Sequence, residues 1–111
     1  MKVFVHHVYE YKKGLRNLVL HTMGRMMVQE AIKRLEGSNI DYHIQDVTNS
    51  KVNVFFGAKE CVKIVKKICD KPLNELSAEE DFMLGIMLGY DRKVQCERYL
   101  SRSQYAKVMA S

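Results

Sequence analysis

The sequence predicts an α+β fold: a small three-stranded antiparallel sheet in the order β-α-β-β-α, split-βαβ-like, with additional C-terminal helices. Two observations carry that reading. Ile40, Tyr42 and Ile44 alternate with Asp41, His43 and Gln45, and Val52, Val54 and Phe56 alternate with Asn53 and Phe55, which is the period of a pleated strand. On either side, residues 25–36 and 58–69 repeat their apolar positions at intervals of three and four, which is the period of a helix with one buried face.

Taken in chain order, residues 2–8 read as a strand with apolar side chains on both faces, Val3 and Val5 pointing one way and Phe4 and Val8 the other. Tyr9 to Gly14 form a polar aromatic connection. Leu15 to Leu20 fit a helical face or an extended run equally, so the conformation of residues 9–24 stays open. In the next helix Val28, Ala31, Ile32 and Leu35 form the inner stripe, Glu30 and Arg34 pair on the outer face, and Gly37 is placed to end it. Thr48-Asn49-Ser50 is a turn joining the two alternating runs into an antiparallel hairpin. Gly57 releases the chain into a helix over 58–69, buried through Ala58, Cys61, Val62, Val65, Ile68 and Cys69 and stopped by Pro72.

Ser77-Ala78-Glu79-Glu80 is a capping box, with Glu79, Glu80 and Asp81 also suited to the positive end of the helix dipole. The residues after it, Phe82 to Gly89, are apolar almost all round, so this helix belongs between two layers or at a subunit interface, with Gly85 and Gly89 open to close backbone approach. Asp91 caps a last helix that turns Cys96, Tyr99 and Leu100 inward, and residues 101–111 are expected to fray. With the first strand at the edge, pairing should run first strand to third and third to second. The C-terminal helices should cover one sheet face and a second copy much of the remainder.

The 111 residues suffice for a single domain, 1–111, with one real core. Cys61, Cys69 and Cys96 are odd in number and lack CxxC spacing, which suits a reducing compartment. The N-terminus has no apolar leader, and no run approaches the roughly 20 apolar residues of a membrane span, so a cytoplasmic setting without membrane partners is expected. A net charge of +5 favours anionic partners on encounter without specifying one.

Three stretches, His6 to Leu18, Val54 to Val62, and Leu76 to Asp91 continuing through Gln95 to Leu100, resemble a family of short bacterial proteins catalogued only as a domain of unknown function. The resemblance implies a compact α+β fold of three strands and several helices, a homodimer, and no established activity, cofactor or catalytic residue.

The chemistry-bearing residues do not assemble into a motif. His6, His7, His21 and His43 with the three cysteines invite a metal, but no HxxxH, HExxH or paired CxxC is present, so neither metal nor cofactor is expected. Cys96, near Arg92 and Glu97, is the least awkward nucleophile, and a core cysteine is the simpler reading. Lys59, Lys63, Lys66 and Lys67 line one side of the helix over 58–69; as a nucleic-acid surface they lack interleaved aromatics, since alternation puts Phe55 on the sheet face opposite Val54 and Phe56. The preferred expectation is a homodimeric, non-enzymatic accessory or regulatory module docking to another protein, an acidic one such as an electron-transfer flavoprotein suiting the charge. The alternative is a small-molecule-binding protein or enzyme with a pocket between sheet and C-terminal helices, lined by Tyr9, Arg16, His21, Tyr90 and Arg98. Nucleic-acid binding through the lysine face comes third.

Overall fold

A computed structural model describes the backbone of residues 1–110 and the side chains of residues 1–104 and 108. The elements are α1 (Lys2–Lys12), β1 (Leu18–Gly24), α2 (Val28–Gly37), β2 (Asp41–Asp46), β3 (Lys51–Gly57), α3 (Lys59–Ile68), α4 (Ala78–Met87) and α5 (Arg92–Ala110). The sheet runs β1-β3-β2, antiparallel throughout. This is the predicted class and strand order, with one displacement: the first strand is 18–24, and residues 2–8, expected as a strand, are helical.

The reason is visible in burial. Phe4 and Val8 are buried, with Met1 and Tyr11 packed beside them. That spacing, 1, 4, 8 and 11, makes one stripe of a helix, whereas Val3 and Val5, counted as an inward face of a strand, are exposed. Gly14 ends α1 at φ +78°, with Gly14 N–H donating to Tyr11 O and Leu15 N–H to Glu10 O, a Schellman closure. Helix α2 ends the same way two residues later than expected: the left-handed position is Asn39 at φ 56°, not Gly37, and Ile40 N–H returns to Leu35 O.

The sheet divides two apolar layers. On one face Val19, Met23, Val52, Val54 and Phe56 pack against Phe4 and Val8 of α1 and Val28, Ala31 and Leu35 of α2. On the other, Leu18 and Phe55 meet Val62, Val65 and Ile68 of α3 and Leu84 and Leu88 at and just beyond the end of α4. The C-terminal helices therefore cover one face as expected, while α1 and α2, rather than a second copy, cover the other. The second layer contains one polar row in register across all three strands. Thr22 donates to Asn53 Oδ1 at 2.6 Å, Asn53 donates to Gln45 Oε1 at 2.9 Å, and Gln45 donates to the carbonyls of Cys69 and Lys71. Asn53 is buried, and this row satisfies it.

The capping box is present, Ser77 and Glu80 exchanging both bonds. Gly85 is buried because the Gln95 side chain of α5 lies where a Cβ would stand, Cδ at 2.7 Å. Gly89, expected as a second packing glycine, instead has φ +79° with nothing within 4 Å, and forms the Schellman closure of α4 through Tyr90 N–H to Gly85 O. Asp91 Oδ1 caps α5 by accepting from Val94 N–H. The inward face of α5 differs from expectation: Gln95 is buried and Tyr99 half-buried, while Cys96 and Leu100 face solvent. Polar ties do the docking here, and this is why an apolar stripe misreads it. Of the stretch expected to fray, residues 101–110 continue α5 and Ser111 lies outside the described residues.

Gly85→Leu is expected to destabilise by about 1–3 kcal/mol, because the overpacking against Gln95 exceeds the gain of about 1 kcal/mol in helix propensity. Lys63→Ala or Lys67→Ala, on an exposed helix face, should move stability by less than about 0.5 kcal/mol. Thermal melts of the variants in one buffer make the comparison.

Candidate functional site

Three places among the described residues are candidates for a functional site. The first joins α1 to β1. Helical spacing sets His7 three residues from Glu10, and His7 Nδ1 stands 3.1 Å from Glu10 Oε1 and 3.2 Å from a guanidinium nitrogen of Arg16. One ring nitrogen cannot accept from Arg16 and donate to Glu10 at once, so the tautomer of His7 selects its partner. The His21 ring lies 5.5 Å from that of His7. The Glu10 carboxyl is held below its usual range, chiefly by the hydrogen bond to His7. Arg16 and His21 were legible as candidates; His7 and Glu10 were not, because reading residues 2–8 as a strand hid their shared helical face.

The second place lies between the sheet and the C-terminal helices. A groove of about 500 Å³ is walled by Leu20, Leu73, Leu84, Tyr90, Val94 and Arg98 among others. Arg98 is already engaged: it donates to both Asp81 oxygens, at 2.7 and 3.1 Å, and Arg102 stands 3.2 Å from the same carboxylate. Burial works against the charge of Asp81, but the two guanidinium groups outweigh it and hold the carboxyl below its ordinary value. A smaller groove of about 410 Å³ brings Arg16 beside Tyr90, with Leu15 and Ile86.

The five residues proposed to line one pocket are thus divided. Arg16 and His21 belong to the α1–β1 cluster, Arg16 and Tyr90 share the smaller groove, and Tyr90 and Arg98 share the larger. Tyr9 sits on α1, stacked near His6 at 6.3 Å, with the Lys13 ammonium 5.3 Å from its ring, and lines a groove with Lys12, Lys33 and Arg34. Among the described residues no three His, Cys, Asp or Glu side chains come together to hold a metal ion. Burial pushes the Cys69 thiol up to about 11 and raises that of Cys61, so both are protonated near neutrality and are poor nucleophiles.

The third place is α3. Lys59, Lys63, Lys66 and Lys67 are all exposed and, among the described residues, form no ion pair, whereas Arg16, Arg25, Arg34, Lys71, Lys93, Arg98 and Arg102 each have a carboxylate within 4.0 Å. Ile64 lies 36% exposed among them. Beneath the helix Phe55 is fully buried, with the His43 ring tilted against it at 6.3 Å, so Phe55 offers a base no open ring face.

The family described as "Protein of unknown function (DUF2023)" matches residues 2–102. The chain belongs to this family. The match covers every element from α1 to α4 and the first half of α5, and with them all three candidate places in this DUF2023 chain. Comparison with curated proteins finds no match. No helix among the described residues is long and apolar enough to cross a membrane.

A pH dependence follows from two of these histidines. Burial first, then the positive charge of His7 and the N-terminus, holds His21 below its ordinary value; burial and then Lys66 do the same to His43. With the folded value depressed, the unfolded chain takes up its proton first, so the stabilisation is complete above about pH 6.5 and is lost as pH falls through the folded value. The melting temperature is expected to drop between about pH 7 and about pH 5, and a His21→Gln/His43→Gln double variant to drop less over that interval.

Proposed function

We propose that the protein is a homodimeric, non-enzymatic accessory or regulatory module of the cytoplasm that works by docking to another protein, an acidic one meeting the lysine face of α3. The observation that carries this reading is the set of four exposed lysines along one face of one helix, none of them in an ion pair among the described residues. A cation without an intramolecular partner costs least to desolvate against an external carboxylate, and such a face raises the encounter rate with an acidic surface. Ile64 adds an apolar contact that a protein partner can bury and a phosphate backbone cannot. The three unpaired thiols are consistent with a reducing setting.

The test is a comparison of two immobilised forms, the unmodified chain and a Lys59→Gln/Lys63→Gln/Lys66→Gln/Lys67→Gln variant, against extract of the native host. The reading requires acidic proteins held by the first, released by moderate salt, and absent from the second. Equal capture by both forms contradicts it. Retention on DNA or RNA at low salt, lost in the variant, would assign the face to nucleic acid instead.

A second reading, a small-molecule-binding protein or enzyme, has one observation in its favour, the groove between sheet and C-terminal helices that Tyr90 and Arg98 share. Against it, the charge of Arg98 is neutralised by Asp81 rather than turned to a ligand. A ligand that raises the melting temperature of the parent but not of Tyr90→Ala would support the groove.

A further inference from the structure

We propose that the free edge of β1 pairs antiparallel with the same edge of a second copy, joining two three-stranded sheets into one. This rests on the homodimeric reading above and says where the dimer forms. The ladder between β1 and β3 begins with Ala58 N–H on Asn17 O and ends with Arg25 N–H on Ser50 O. In the intervening register Leu18 faces Gly57 and Gly24 faces Lys51, so the odd-numbered residues of β1 exchange bonds with β3. The N–H and C=O groups of Leu20, Thr22 and Gly24 therefore point the other way. β1 has a neighbour on one side only, and no described residue outside the sheet makes a backbone bond to these three.

Natural sheets protect such an edge with lysine, proline, a bulge or a covering loop. β1, Leu-Val-Leu-His-Thr-Met-Gly, has no lysine, arginine, carboxylate or proline, and its register with β3 runs without a bulge. The opposite edge is guarded: β2 begins and ends in Asp41 and Asp46, and the latter is tied to Arg25 at 3.0 Å. The neutrality of β1 selects its occupant. A chain of net charge +5 meets its own copy with least repulsion where it carries no charge, whereas an acidic partner is drawn to the lysines of α3.

The strand is also self-complementary. With a two-fold axis at His21, Leu20 stands opposite Thr22 of the partner subunit and Leu18 opposite Gly24 of the partner subunit; these even-numbered pairs, whose backbone groups face outward, carry the hydrogen bonds, and the odd-numbered pairs alternate with them unbonded. The apolar groove walled by Leu20, Leu84 and Val94 opens beside this edge, so the same approach covers exposed Val94 and Tyr90.

The experiment measures the mass of the full chain by sedimentation and, in the same samples, amide hydrogen exchange at Leu20 and Thr22. The proposal requires a dimer in which both amides are protected, and a Thr22→Pro variant that folds and is at least tenfold weaker in self-association, since proline removes an outward N–H that β3 does not use, together with the Thr22 hydroxyl bond to Asn53. Should Thr22→Pro fail to fold, Gly24→Pro makes the same test, because φ at Gly24 is already −66° and its N–H points outward. A dimer with both amides exchanging freely, or undisturbed by the proline, overturns the edge and leaves the homodimer standing. A monomer overturns both.

Discussion

Gly57→Ala is expected to destabilise the chain by about 3 kcal/mol or more, the size reserved for a strained backbone position that also meets a clash. Gly57 closes β3 at φ +150°, a conformation that side chains disfavour. An added Cβ would be driven into the backbone of Asn17, its carbonyl carbon at 3.0 Å, and would reach Leu18 Cα at 3.0 Å. Unlike the Gln95 side chain facing Gly85, this backbone cannot swing aside, because Asn17 O is already bonded to Ala58 N–H at 2.8 Å and begins the β1–β3 ladder. The substitution thus damages the junction at which β1, β3 and α3 meet. Urea titrations followed by circular dichroism give the difference; a loss below about 1 kcal/mol would mean that the junction relaxes.

Phe55→Ala should cost about 3–5 kcal/mol, as full truncation of a buried aromatic does. Phe55 is wholly buried on the central strand, and it is the β3 side chain around which the layer of Val62, Val65, Ile68, Leu84 and Leu88 is gathered. No flanking strand can close the cavity, since Leu18 and Leu20 are held by the β1 ladder and His43 by that of β2. Leu84→Ala, at the rim of the same layer, is expected to fall at about 2–4 kcal/mol. If Phe55→Ala melts like the parent, α3 and α4 are not organised by the sheet, and the lysine face loses its fixed orientation.

Much of this fold was legible wherever one face alone is apolar. The hairpin of β2 and β3, helices α2 and α3 and the capping box of α4 each show a single period, and each forms at the expected place. The N-terminal quarter is different. Val3, Val5 and Val8 are β-branched, and such residues bias a short run towards strand, yet the stripe of Met1, Phe4, Val8 and Tyr11 decides the outcome once it can pack on Phe56. β1 hides for the opposite reason: with Leu18 and Leu20 on one face and Val19 and Met23 on the other, both faces are apolar and no alternation remains to be read.

The candidate sites follow the same rule. The lysines of α3 lay on a helix read correctly, so their common exposed face was legible. The His7–Glu10–Arg16 cluster was not, because it needs α1 to be helical and β1 to bring His21 alongside. Nor was the division of Tyr9 from Arg98, which follows from α1 and α5 lying on opposite sides of the sheet. The Asp81 latch between α4 and α5 was invisible for a further reason, since three polar residues spaced 17 and 21 positions apart carry no periodic signal.

The function we propose is that of a dimer that presents the lysine face of α3 to a partner. Sedimentation equilibrium of the unmodified protein at micromolar concentration and moderate salt tests this most directly. The predicted result is a species of twice the 12.9 kDa chain mass that dissociates on dilution. A species that stays at the mass of one chain throughout would contradict it.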